Sequence, residues 1–218
     1  MHEGKKLTTA MVNKFIKAKE YDKLVAVIPA AEKYNVAPSL IRSTCKKAGE
    51  YLITQQEYDK AIVIINKARA RDVKDKTILQ LFINAVSKFF NSNVAEFSKK
   101  DLAEFKQTIL PIIEFHKLKY LAHRKIVEST EHMFRRIDYR IKYEAKDVKE
   151  SKVTYRVQQI KNSLYGDMTI EEVRQEFARL IVPKLREMLE KEEDSKEEKK
   201  DTKRKPKQGK KDKKKKKD

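Results

Sequence analysis

Apolar positions along this chain recur at spacings of three and four, and the pattern returns every 37 residues. Phe15-Ile16, Leu52-Ile53 and Phe89-Phe90 are in phase at that period, as are Met11-Val12, Ala48-Gly49 and Ala85-Val86. The tetrapeptide Glu20-Tyr21-Asp22-Lys23 returns as Glu57-Tyr58-Asp59-Lys60, and Glu96-Phe97-Ser98-Lys99 is a weaker third copy displaced by two positions. A period in the thirties that holds two helix-length segments is the pattern of a helical hairpin repeat. The first helices are expected at roughly 9–18, 38–54 and 76–90, and the second helices at roughly 21–34, 58–71 and 101–117. Pro38 suits a first helical turn and Asp75 a cap, whereas Pro29 falls inside a predicted helix and should kink or shorten it.

Beyond Leu118 the rhythm changes. No proline or glycine occurs until Gly166, which predicts one long helix with Phe134, Ile137, Ile141, Ala145 and Val148 as its buried stripe. Gly166-Asp167 should break it, and Thr169 with Glu172 reads as a capping box opening a final helix. Ile170, Val173, Phe177, Leu180, Ile181 and Leu185 would face inward on that helix, with a kink at Pro183. Apolar residues stop at Lys191, and residues 203–218 form a lysine tract expected to be disordered. The predicted organisation is therefore helical repeats over 1–117, a C-terminal helical region over 118–190 and a disordered basic tail over 191–218.

Where the hairpin pattern is strongest, the chain resembles the tetratricopeptide repeat. That family places a small residue where paired helices touch, an aromatic at the start of the second helix and alanine one turn later. Gly49, Leu52, Tyr58, Ala61 and Ala68 stand in that order, and Val12, Phe15, Tyr21, Leu24 and Ala31 follow it in the first unit. The family's signature tryptophan has no counterpart, and the period is a few residues longer. The resemblance covers residues 8–117 and implies an α-solenoid whose concave face binds a protein segment. It assigns repeat packing to Phe15, Tyr21, Gly49, Leu52, Tyr58, Ala61 and Phe89.

Composition supports the all-α reading. Four glycines and five prolines in 218 residues leave little material for the tight turns of a sandwich or barrel. The single cysteine, Cys45, rules out an intramolecular disulfide and fits a reducing compartment. No apolar run reaches membrane-spanning length, and residues 1–12 lack a signal core, so the expectation is a soluble intracellular protein, cytoplasmic or nuclear. The formal charge is +19, of which the last sixteen positions supply 11 basic and 2 acidic residues, or +9.

Candidate chemistry is sparse. The sequence carries no phosphate-binding glycine loop and no paired-histidine metal motif, and neither a cofactor nor a catalytic residue is assigned. His116 and His123 are two helical turns apart, too far to share one metal unaided. Cys45 has no histidine placed beside it and reads as a buried helix-contact residue. The basic residues say more. Arg135, Tyr139, Lys142, Lys146 and Lys149 step by four and three along the predicted long helix, and Arg136, Arg140 and Tyr143 widen that edge. Such a face can neutralise phosphates and stack on bases, although Asp138, Glu144, Asp147 and Glu150 interrupt it. In the tail, Lys203, Arg204, Lys205 and Lys207 resemble a short nuclear-import signal, and the lysine run suits a polyanion. Two functions follow as expectations. One is a non-enzymatic scaffold or adaptor that binds protein within a larger assembly; the other is an RNA- or ribosome-associated factor. The oligomeric state is left open.

Overall fold

The computed structural model describes residues 2–71, 75–119 and 124–166, and the single positions 169, 171, 172, 175 and 179. Two compact units divide the chain, Met1–Glu176 and Phe177–Asp218. Arg179 is the one described position of the second unit, so the helices belong to the first. The described residues are helical, with no named strand among them: α1 His2–Ala18, α2 Tyr21–Lys33, α3 Pro38–Thr54, α4 Tyr58–Arg71, α5 Lys76–Asn93, α6 Lys99–Lys119, α7 Arg124–Glu128, α8 Glu131–Tyr143 and α9 Thr154–Tyr165. Helices α1 to α5 pack consecutively, each on the next, and α3 also touches α5.

The turns explain the repeat. Lys19 and Gln56 have φ of 57° and 63°, the left-handed conformation that closes a helix. After each, the glutamate N–H reaches back to the same place: Glu20 N donates to Phe15 O and Glu57 N to Leu52 O, both at 3.0 Å. Lys19 N and Gln56 N complete the motif on Ile16 O at 3.3 Å and Ile53 O at 3.2 Å. Lys23 then pairs with Glu20 at 2.9 Å and Lys60 with Glu57 at 2.7 Å. The recurring tetrapeptide is thus a turn-and-restart device whose hydrogen bonds repeat at the 37-residue period read from the chain.

The predicted helix starts behave as their chemistry requires, whereas the shortening expected at Pro29 does not occur. Asp75 caps α5, accepting from Thr77 N at 2.9 Å and Ile78 N at 3.1 Å, and Pro38 opens α3. Helix α2 runs on past Pro29 to Lys33, and α6 likewise contains Pro111. Buried aromatics bind the centre: Phe89 meets Phe97 at 6.0 Å and Phe105 at 5.4 Å, between ring centroids.

The single long helix expected after Leu118 is corrected. Helix α7 ends at Glu128, α8 spans Glu131–Tyr143, and residues 144–153 are irregular before α9. The break is made by tertiary pairing. Lys146 O accepts from Lys99 N at 3.0 Å, forming an isolated parallel bridge between Ser98 and Lys146. Ser151 Oγ donates to Asp101 Oδ2 at 2.5 Å, and Ser151 N donates to Thr154 Oγ1 at 2.7 Å. These bonds hold the segment against the start of α6, and they outweigh a helix preference worth a few tenths of a kcal/mol per residue. The predicted stripe is cut accordingly: Phe134 and Ile137 are buried, Ile141 and Ala145 half-buried, and Val148 exposed. Gly166, with φ 66°, closes α9. The Thr169–Glu172 box is formed, Thr169 N donating to Glu172 Oε2 at 2.6 Å and Glu172 N to Thr169 Oγ1 at 3.2 Å. The apolar face predicted after it, Ile170 to Leu185, lies outside the described residues, as does the 191–218 tail.

Candidate functional site

The residues assigned to repeat packing form one set of joints. Gly49, Leu52, Tyr58, Ala61 and Phe89 are buried, whereas Phe15 and Tyr21 are half-buried and packed against the core. Gly49 carries the closest approach: a Cβ there would lie 2.3 Å from Cγ1 of Ile65, so α3 and α4 meet at a distance that only glycine permits. Tyr21 sets its ring 6.0 Å from that of Tyr51.

The return of α9 onto α4 and α6 adds an element that repeat pattern alone does not predict. Arg156 Nη2 donates to Asp59 Oδ1 and Nη1 to Asn93 Oδ1, each at 2.9 Å, with the guanidinium 4.9 Å from the centroid of the Phe89 ring. Burial works to raise the Asp59 carboxyl, and the bound Arg156 guanidinium outweighs it, holding Asp59 below its ordinary value. Asp59 therefore does not face solvent freely, while Asp22, its counterpart in the first unit, is exposed. A spacing rule would have found Asp59 as a turn residue, but nothing local marks a partner 97 positions away.

An open feature lies among the hairpins away from Arg156. A groove of about 730 Å³ runs between α3, α5 and α7. Thr77, Gln80, Asn84 and Ser87, stepping by three and four along α5, give it a polar ridge, with Leu81 and Ile83 beside them and Glu50 and Ile126 opposite. Gln80 and Asn84 are exposed, so their amide groups are open to a ligand.

The predicted basic edge is only partly assembled. Arg135 and Lys142 lie exposed on α8, but Lys146 and Lys149 fall in the irregular segment, so no continuous helical edge joins them. Arg135 lies 3.7 Å from Glu131. Arg136 donates to Asn91 Oδ1 at 3.0 Å and stacks over Phe90, and Arg140 pairs with Glu144 at 2.9 Å. Tyr139 and Tyr143 remain exposed, with ring centroids 5.0 Å apart and the Lys142 ammonium 4.9 Å from the Tyr143 ring. Lys203, Arg204, Lys205 and Lys207 lie outside the described residues.

Two further groups, one buried and one half-buried, lie within the hairpins. Cys45 is one, and desolvation pushes its thiol up to about 11, which keeps it protonated and unreactive at neutral pH. The other is Arg69, whose Nε donates to Asn66 Oδ1 at 2.9 Å while its Nη1 approaches His116 Nε2 at 3.4 Å, and burial lowers it to about 10. Among the described residues no cluster of histidine, cysteine and carboxylate groups is placed to hold a metal ion, and no helix is long and apolar enough to cross a membrane. No family model, no curated protein and no solved structure matches the chain. What fold and geometry define is a class: an all-helical protein of consecutively packed helices joined by recurring turns.

Proposed function

We propose that this protein is a non-enzymatic adaptor built as a tetratricopeptide-like stack of helical hairpins, and that it holds a segment of a partner protein in the groove between α3, α5 and α7. The polar ridge of Thr77, Gln80, Asn84 and Ser87 carries the proposal. An extended segment brings a backbone donor and acceptor at every residue, and each must find a partner when it leaves water. Side-chain amides and hydroxyls at successive turns of α5 supply both kinds of partner, while Leu81, Ile83 and Ile126 offer apolar contact beside them. The test is site-specific photocrosslinking in the native cell. A photoreactive residue at Asn84 should yield a discrete adduct with a second protein, suppressed by Ser87→Arg. An absence of adduct, or the same adducts from the exposed control position Lys100, would refute the groove.

A second reading is an RNA- or ribosome-associated factor, and one observation favours it. Tyr139 and Tyr143 form an exposed aromatic pair beside Lys142, the combination that stacks on bases and attracts phosphate. Binding to generic RNA at two salt concentrations separates its components. Loss with removal of residues 203–218 assigns the affinity to the tail, and loss with Tyr139→Ala and Tyr143→Ala assigns it to α8.

A further inference from the structure

The 37-residue phase allows each position of one hairpin to be compared with its equivalent in the next. Leu7 and Met11 of α1 correspond to Thr44 and Ala48 of α3 and to Leu81 and Ala85 of α5. Thr44, Ala48 and Ala85 are fully buried and Leu81 is half-buried, whereas Leu7 is 66% exposed and Met11 40% exposed. Chemistry runs against this difference, since the exposed pair is large and apolar while a buried equivalent is a threonine. The cause is neighbourhood. Helix α3 packs between α2 and α4, and α5 packs against α4, but α1 has broad contact with α2 alone. The side of α1 where a preceding second helix would lie is open.

We propose that this face seats an acidic amphipathic helix from outside these 218 residues, packed on Leu7 and Met11 in the place that α2 holds on α3. Charge selects the occupant. Helix α1 and the residue after it carry Lys5, Lys6, Lys14, Lys17 and Lys19 against the single carboxylate Glu3, and all six are exposed. A ridge of Leu7 and Met11 between lysines matches a helix with an apolar stripe flanked by glutamate or aspartate. The same charges exclude a second copy. Two α1 faces brought together would set lysines against lysines, and head-to-tail stacking is obstructed because α6, the last helix of the third hairpin, is already packed with α7, α8 and α9.

The inference rests on the stacked-hairpin reading but concerns a different face from the groove, so an intact Asn84 adduct together with failure here would remove only the α1 seat. The probe is a stapled synthetic copy of the 13-residue α2 that keeps Leu24, Val27, Ile28 and Ala31 and carries glutamate at its exposed positions. Fluorescence anisotropy with the full chain should show saturable binding, and a lysine version of the peptide should not bind. Leu7→Gln with Met11→Gln should weaken binding at least tenfold and leave the melting temperature unchanged, because both side chains are exposed. Equal binding by the Gln pair would place the peptide elsewhere, for instance on the lysine tract, and overturn the proposal. It would also be overturned if neither peptide bound, or if light scattering found a dimer that the Gln pair dissolves.

Discussion

Arg156 on α9 and Asp59 at the start of α4 are joined at 2.9 Å, which ties α9 to the turn of the second hairpin across 97 residues of chain. The same guanidinium serves Asn93 and lies over Phe89, so one side chain holds α9 to both α4 and α5. Arg156→Ala should cost about 2–3 kcal/mol, since it strands a largely buried carboxylate as well as losing ring contact. Arg156→Lys should recover little, because an ammonium cannot reproduce the two-armed geometry. A double-mutant cycle with Asp59→Asn, read by urea denaturation, should give a coupling of about 1 kcal/mol or more. Additivity of the two single changes would show that the pair contributes nothing of its own.

Acid should weaken this tie in a defined direction. Asp59 is held below the ordinary value of 3.8 by Arg156 against the opposing effect of burial. Asp101 is likewise held down against burial, by hydrogen bonds from Ser151, Ser98 and Thr154. A carboxyl with a depressed folded-state pKa contributes stability that is fully present above the unfolded value and lost as pH falls through the folded one. Stability should therefore be flat towards neutrality and decline below pH ~4. Asp59→Asn should lower the neutral plateau and reduce the acid slope, both measurable by denaturation at a series of pH values.

Gly49 is the tightest joint of the second hairpin. Any Cβ there meets Cγ1 of Ile65, which is fully buried. Gly49→Ala should destabilise by about 1–3 kcal/mol despite the better helix propensity of alanine. In an Ile65→Ala background, where Cγ1 is gone, the further cost of Gly49→Ala should shrink. A Gly49→Ala variant as stable as the parent would mean that α3 and α4 can separate without cost.

Much of the hairpin region was legible because its determinants are local. Helices α3 and α4 begin and end where the pattern places them, and Asp75 caps α5 as a lone aspartate before an apolar run should. The expected third hairpin was less legible, since Ser98 and Asp101 form a reciprocal cap at the start of α6 and also anchor residues 146 and 151. Residues 144–153 have no glycine or proline to announce a break, so their own composition reads as helix. The information that overrides it sits fifty positions away in Asp101. The candidate basic edge was drawn along a helix that stops at Tyr143, and for that reason Lys146 and Lys149 do not continue it. The groove had no sequence signature, because its lining comes from three helices whose apposition depends on the stack.

The turns themselves offer a test of how the repeat is built. Lys19 and Gln56 adopt the left-handed conformation without being glycine, and Asn35 does the same after α2 with φ 49°. A side chain at such a position costs about 1 kcal/mol relative to glycine, with asparagine penalised least. Gln56→Gly should thus stabilise the fold by about 0.5–1 kcal/mol, with Lys19→Gly acting in the same direction and Asn35→Gly giving less. Because the two tetrapeptide turns share the same hydrogen bonds at the same spacing, the Lys19 and Gln56 gains should be similar and additive. A large gain at Gln56 with none at Lys19 would show that the first hairpin frays independently of the second. Thermal unfolding of the two single variants and the double variant decides between these outcomes.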